Sequence, residues 1–327
     1  MTNPGWAYPE SPFHAGELAI QTRLGVQERI DKQGRRIIRD YLPEQQRQFF
    51  QQLPYVIVGL VDTLGRPWAS ILVGQPGFLS SPDERTLVVS TQLWPGDPLI
   101  QNLATGVDIG FLGIELHSRR RNRLNGVVTA VYPDHFVVEV GQSFGNCPQY
   151  IQARTVEFVD RGSNSAASVR SIPGLGLAEQ TLIQAADTFF IATAYQDESA
   201  GRGRGVDVSH RGGKPGFVKI EGRTLTIPDF SGNLQFNTFG NLELNPLAGL
   251  IFIDFIGGDV LYLTGRAWVI WDGDEIATYE GAERLLRFEL DEGYYGKNTL
   301  PVRWSEPDFS PFLQDMGPWV APEEKGL

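Results

Sequence analysis

A single cysteine, Cys147, stands in 327 residues. That excludes an internal disulfide and any Cys-rich zinc site, and it suits a reducing compartment. Histidine is nearly as scarce. His14, His117, His135 and His210 are the four, none at the i, i+4 or short-loop spacing of metal ligands, so no metal site is expected. No charge-free apolar run approaches the roughly 18 to 20 residues of a membrane span. The first residues, Met1-Thr2-Asn3-Pro4-Gly5-Trp6, lack the basic and apolar regions of a signal peptide. The expectation is a soluble, cytoplasmic protein with no membrane partner. Basic charge is short as well: a net charge of −11 works against nucleic acid, which is held on basic faces through released counterions. The one dense basic run, Arg119-Arg120-Arg121-Asn122-Arg123, is local.

What the chain has in quantity is itself, twice. Pro76-Gly77-Phe78-Leu79 returns as Pro215-Gly216-Phe217-Val218, Asn102-Leu103 as Asn241-Leu242, Gly110 as Gly249 and Leu124-Asn125-Gly126 as Leu263-Thr264-Gly265, each 139 residues on. Upstream, Pro43-Glu44-Gln45-Gln46 matches Ala178-Glu179-Gln180-Thr181 at an offset of 135. The difference falls in one loop, lengthened in the second copy by Gly201-Arg202-Gly203-Arg204-Gly205. Solenoid repeats run at about 20 to 50 residues, so this period means a duplicated domain. With 41% hydrophobic residues, each copy can bury its own core. The expected divisions are an N-terminal arm over 1–40 that wraps one copy, a first copy over 41–159, a Gly/Ser-rich linker over 160–176 and a second copy over 177–327.

Periodicity predicts a short helix over 14–21, an amphipathic helix over 44–53, and strands over 55–61, 68–73, 86–91, 107–114, 121–132 and 136–140. Short helices fit at 98–104 and 148–153. The second copy repeats the plan with a helix over 177–186 and strands over 189–194, 216–220, 224–227, 248–255, 259–271 and 285–290. Few helices and no regular strand-helix alternation make the fold class mainly β with short helices (α+β), a small antiparallel barrel per copy.

Residues 207–217 concentrate chemistry. Ser209, Arg211, Gly212, Gly213 and Lys214 bring a hydroxyl, two cations and side-chain-free amides together, as a phosphate monoester requires. An exposed hairpin with solvated charges is the plainer reading. The first copy keeps Ser70 and Pro76-Gly77-Phe78 but has Leu72 and Gln75 where Arg211 and Lys214 stand, so the extra charge is not a backbone need. Downstream, Asn233, Gln235 and Asn237 precede a helix start near Phe239, and amides there can hold polyol hydroxyls or a phosphate oxygen; an ordinary capping loop has the same residues. Strand alternation sends Arg119, Arg121 and Arg123 to one face, either toward an anion held by the second copy or onto a solvated outer wall. Gly141-Gln142-Ser143-Phe144-Gly145 matches a nucleophile elbow at Ser143, with His210 following, but without the surrounding βα alternation. Cys147 before Pro148 has either a lowered thiol pKa at a helix start or a buried, inert thiol. Gly201-Arg202-Gly203-Arg204-Gly205 opens no helix after a strand and is read as a hairpin tip.

Ser-x-Arg-Gly-Gly-x-Pro-Gly-Phe over 209–217, Leu-x-Ile-Pro-Asp-x-x-Gly-Asn over 225–233 and Gly-Asn-Leu-x-x-Asn-Pro-x-x-Gly-Leu-x-Phe over 240–252 resemble the pyridoxamine 5'-phosphate oxidase-like FMN-binding split barrels. The run Phe144-Gly145-Asn146-Cys147-Pro148 looks like the same family's Cys-Pro turn. The resemblance implies two tandem split β-barrels forming an intrachain pseudo-dimer, with FMN held between them. Ser209 and Arg211 would be phosphate ligands beside Gly212, Gly213 and Lys214. Pro228, Asn233 and Gln235 would line the ribityl path, and Arg121 and Arg123 would cross from the first copy. Leu234 departs from the arginine that relatives carry, a lost charge-assisted contact of about 1.5 to 3 kcal/mol. No histidine follows His210, so the Arg-x-His substrate motif of a true pyridoxamine phosphate oxidase is absent, although Arg303 in Leu300-Pro301-Val302-Arg303-Trp304 could return to the barrel mouth. The implied function is an FMN-dependent oxidoreductase working by hydride transfer through flavin N5, with no catalytic side chain indicated. Its partners would be a small-molecule substrate and a separate electron donor, and its state a monomeric pseudo-dimer or a homodimer. The alternatives are a non-catalytic binding or dimerisation module and, through Ser143, a serine hydrolase.

Overall fold

The computed structural model describes residues 5–91, 97–99, 101–160 and 167–320. The N-terminal segment carries two helices where the sequence predicts one short one, α1 (Ala15–Arg23) and α2 (Gln27–Ile37). His14 begins α1: its Nδ1 accepts the Gly16 amide at 3.1 Å, and Glu17 accepts the His14 amide at 2.9 Å. Helix α2 is almost entirely polar. It buries Ile30 and Gly34, the latter beneath the Phe13 ring, with Ile37 packed on the same cluster.

The first half continues with α3 (Glu44–Gln51), β1 (Tyr55–Val61), β2 (Pro67–Val73), β3 (Leu79–Ser80), β4 (Thr86–Val89), β5 (Asp108–Glu115), β6 (Arg120–Val131), β7 (Phe136–Gly145) and β8 (Val156–Phe158). The second holds β9 (Ser168–Ile172), α4 (Leu177–Ala185), β10 (Thr188–Tyr195), β11 (Gly205–Gly212), β12 (Lys219–Glu221), β13 (Thr224–Asp229), α5 (Asn237–Leu244), β14 (Leu247–Ile253), β15 (Val260–Ile270), β16 (Arg284–Lys297) and β17 (Val302–Trp304). The protein is thus mainly antiparallel β with short helices. Its two large sheets run β2-β1-β5-β6-β7-β4-β3 and β11-β10-β14-β15-β16-β13-β12, the same succession in each half.

Several local expectations are corrected. Part of the predicted linker is β9, which pairs with β16, while 161–166 lie outside the described residues. Residues 148–153 form no helix, and 98–104, of which 100 lies outside the described residues, show turns. Of the stretch 207–217, for which an exposed hairpin is the alternative to a phosphate cradle, residues up to 212 lie in β11, paired with β10 from Thr188↔Gly212 to Tyr195↔Gly205.

Each half has its own apolar core, with Phe50, Leu60 and Phe111 in the first and Phe189, Leu250 and Phe288 in the second. A third core lies between them: Ile57, Ile71 and Leu112 pack against Ala192, Val208 and Ile251. Strands β1, β2, β5, β10 and β14 therefore bury both faces, which is why they read as unbroken apolar runs and not as alternation. The halves meet where side chains are missing. A Cβ on Gly110 would lie 2.3 Å from the Val206 carbonyl oxygen, and one on Gly249 would lie 2.4 Å from that of Pro67.

Candidate functional site

A cleft of about 120 Å³ opens between the halves. The first half contributes Arg121 and Arg123 from β6, with Asn146, Cys147 and Tyr150 from the turn after β7; the second contributes Ser209 and Arg211 from β11 and the loop from β13 to α5. A strand's period of two explains the pairing: Arg121 and Arg123 share one face of β6, and Asp207, Ser209 and Arg211 one face of β11. Arg119 does not join them. It has φ +54 at the end of a 3-10 turn before β6 and donates to the Ile151 carbonyl at 3.0 Å and to Asp308 at 2.9 Å.

The arginines are held very differently. Arg123, buried, pairs with Asp207 at 3.3 Å and donates to the Ser209 hydroxyl, which in turn bonds the Thr238 hydroxyl at 2.6 Å. Arg211 pairs with Asp229, whose other oxygen faces Arg284 at 3.3 Å, and lies 4.8 Å over the Phe239 ring. Arg121 donates, among the described residues, to the carbonyls of Cys147 at 2.8 Å and Gln149 at 3.1 Å. Burial, with Arg123 and Arg211 adding repulsion, pushes its pKa down to about 9. The buried Nε atoms of Arg123 and Arg211 lack hydrogen-bond partners. Phe230, Phe236, Phe239 and Tyr150 complete the walls with apolar surface.

Of the residues predicted from the sequence, Ser209, Arg211, Gly212, Pro228, Asn233, Arg121 and Arg123 line this one cleft. Gly213, Lys214 and Gln235 do not. Lys214 reaches the C-terminal segment, donating to the Met316 carbonyl at 2.7 Å. Gly213 lies under the Phe217 ring, and the Gln235 carbonyl accepts from Gln21 of α1 at 3.1 Å. Leu234 and Phe236, on either side of Gln235, are left-handed, at φ +59 and φ +64. Arg303 stays with Asn298, at 2.6 Å, and its neighbouring carbonyls.

The nucleophile reading of Ser143 is overturned. Ser143 lies inside β7, fully buried, with its hydroxyl on the Tyr41 carbonyl at 2.6 Å and its backbone paired to Arg39. An elbow needs a sharp strand-to-helix turn that exposes the hydroxyl. Cys147 is not at a helix start either; its thiol bonds Gln149 Oε1 at 3.2 Å.

Sequence reasoning missed Asp229 and Arg284, which face each other across β13 and β16. Their partnership depends on register, which no local pattern displays. It also missed the buried polar group behind the cleft. Asp207 accepts from Asn125 at 2.9 Å and from Asn241 at 2.9 Å; Asn241 accepts from His14 at 2.8 Å. Glu17 accepts from Asn237, and burial, then the charge of Asp207, drives its carboxyl well above the usual range. Burial holds His14 low, as a neutral ring that accepts at Nδ1 and donates at Nε2.

His210 is buried with Nε2 unpartnered, and burial first, then Arg121, Arg211 and Arg154, hold its pKa well below the ordinary value. The folded protein therefore refuses a proton that the unfolded chain takes up below about pH 6.5. Stability is fully present above that pH and is lost as pH falls toward the folded value, at up to about 1.4 kcal/mol per pH unit for this group. Urea unfolding at pH 7, 6 and 5 is expected to show this loss, and His210→Gln to flatten it; equal slopes would remove His210 from the account.

No protein-family model and no curated protein matches the chain. Among solved structures, HupZ from Group A Streptococcus is similar over 37% of this chain and 98% of its own, at 10% identity and a TM-score of 0.29. A second HupZ structure matches over 32% and 94%, at 14% identity and a TM-score of 0.26. The inhibitor of motility MotI from Bacillus subtilis matches over 73% and 87%, at 8% identity and a TM-score of 0.22.

Proposed function

We propose that the chain is a duplicated, two-split-barrel flavoprotein that holds FMN in the cleft between its halves and acts as an oxidoreductase. The observation that carries this reading is the charge of the lining: Arg121, Arg123, Arg211 and Arg284 against the single carboxylate Asp229. Counting Asp207 behind Arg123 and Glu283 beside Arg284 leaves one positive charge uncompensated. A phosphate monoester carries about −1.5 to −2 at pH 7 and brings acceptor oxygens. The unpartnered Arg123 and Arg211 Nε atoms and the Ser209–Thr238 hydroxyl pair offer donors to such oxygens. At about 120 Å³ the cleft is smaller than the roughly 300 Å³ at which pockets begin to enclose a whole drug-sized ligand, so it suits the phosphorylated end, with Tyr150 and Phe230 offering flat surface to a ring.

The first half supports the same reading by contrast. Positions 139 residues from Arg211, Arg121 and Arg123 hold Leu72, Val260 and Tyr262, all buried in apolar clusters. Ser70, the twin of Ser209, donates to Asp97 at 2.6 Å. A second anion there would meet hydrocarbon and a carboxyl group.

Bound flavin would supply hydride transfer through N5. The chain's own part is to neutralise the phosphate with Arg121, Arg123 and Arg211, to wall the ring with aromatic side chains and to keep water out. Purified protein titrated with FMN is expected to quench flavin fluorescence at one equivalent and to gain melting temperature. Arg211→Ala should weaken FMN about ten- to a hundredfold, the loss of a charge-assisted contact, with little change in apo stability because Arg284 still pairs with Asp229. Unmoved fluorescence and melting temperature on adding FMN to wild type would defeat the reading. A non-catalytic anion-binding module would bind FMN without turning over any reductant.

A further inference from the structure

We propose that His14, in the N-terminal segment, is a positioning residue for the anion site, acting through Asn241 and Asp207 on Arg123; this rests on the reading of the cleft as a phosphate site. His14 lies outside both the repeat and the cleft lining. It is nevertheless buried and joined to the cleft by an unbroken set of hydrogen bonds. Its Nδ1 is used by the Gly16 amide at 3.1 Å, which leaves Nε2 to donate to Asn241 Oδ1 at 2.8 Å. With that oxygen held, the Asn241 amide nitrogen is turned to Asp207 Oδ2 at 2.9 Å and to the Thr193 hydroxyl at 3.1 Å. Asp207 Oδ1 then takes Asn125 at 2.9 Å and Arg123 at 3.3 Å, and Arg123 reaches Ser209.

Each link removes a choice. A primary amide can flip, and a flipped Asn241 would aim its oxygen at a carboxylate. A long guanidinium side chain has many rotamers, and a carboxylate fixed on both oxygens allows few of them. The backbone is fixed as tightly: a Cβ on Gly16 would lie 2.0 Å from the Gly240 carbonyl oxygen, so α1 and α5 touch directly at this point. The N-terminal segment thus serves the site that the second half carries and the first half completes.

The test is a double-mutant cycle on the full chain, read by FMN affinity. His14→Ala should weaken FMN about tenfold, as removal of outer-shell partners does elsewhere, and His14→Gln, whose amide can donate to the same oxygen, should restore most of it. In an Arg123→Lys background, His14→Ala should cost less than about twofold, because the group it positions has gone. Should His14→Ala fail to fold, His14→Phe keeps the ring volume without the donor and replaces it in the cycle. Unchanged affinity in His14→Ala, or losses that multiply in full with Arg123→Lys, would overturn the role. If wild type binds no FMN, the flavin reading falls by itself. Protection against thermal unfolding by inorganic phosphate then decides this proposal: protection of wild type and not of His14→Ala supports it, and a wild type indifferent to phosphate overturns it.

Discussion

A single methyl group at position 110 or 249 is expected to push the two halves of the chain apart. The added Cβ of Gly110→Ala would meet the Val206 carbonyl oxygen at 2.3 Å, and that of Gly249→Ala would meet Pro67 oxygen at 2.4 Å and Trp68 Cα at 2.6 Å. Both obstacles are backbone atoms of the opposite half, inside paired strands, so no rotamer change relieves them. Overpacking in a well-filled core costs about 1 to 3 kcal/mol, and the rigid obstacle places these substitutions at the upper end. That is a large share of the roughly 5 to 15 kcal/mol available to a domain. Valine at either site should add to the loss. The expected result in urea is a lower midpoint for each alanine variant and, for valine, separate unfolding of the halves. Midpoints equal to wild type would mean that the halves do not approach as described.

Two neighbouring arginines should differ widely in what the same substitution costs the folded protein. Arg123→Met leaves Asp207 buried without its cation, and breaking a buried pair in this manner costs about 3 to 5 kcal/mol. Arg121→Met removes a charge that donates to two carbonyls and lies beside Arg123 and Arg211, whose repulsion helps hold its pKa down to about 9. Relief from that repulsion and from desolvation offsets the lost hydrogen bonds, so apo stability should stay within about 1 kcal/mol of wild type. Affinity separates them less: Arg121→Met should still weaken FMN by about ten- to a hundredfold, a charge-assisted contact of about 1.5 to 3 kcal/mol. Calorimetry without ligand, paired with FMN titration, checks both. An Arg121→Met protein as destabilised as Arg123→Met would show that Arg121 is structural and that the cleft is not poised for an anion.

Much of the fold is legible because apolar runs are local. Strand β1 has the predicted bounds, and β2, β5, β10 and α4 fall within one or two residues of them. Strand β11 was hidden by its own chemistry: Asp207, Ser209, His210 and Arg211 are polar, yet all but Arg211 are buried, because the other half and the N-terminal segment cover them. A polar strand that finds its partners across an interface cannot be told from a loop by hydropathy. The site was legible in the same degree. Arg211, Arg121 and Arg123 stand out as charges without a counterpart 139 residues away, whereas Lys214, equally conspicuous, is drawn off by Met316 and Gln314, a hundred residues away in the chain.

By itself, the order of residues determined the apolar runs that become strands and the positions of the cations along them, since both are matters of composition and local spacing. Tertiary structure alone decided which cations meet. Arg121 and Arg123 come to Ser209 and Arg211 only because the apolar faces of β1, β2 and β5 are buried against the second half. Hydrophobic burial sets where the strands lie, and the charges on their edges are brought together by that placement and held by hydrogen bonds at a few ångströms, a range at which sequence separation has no meaning.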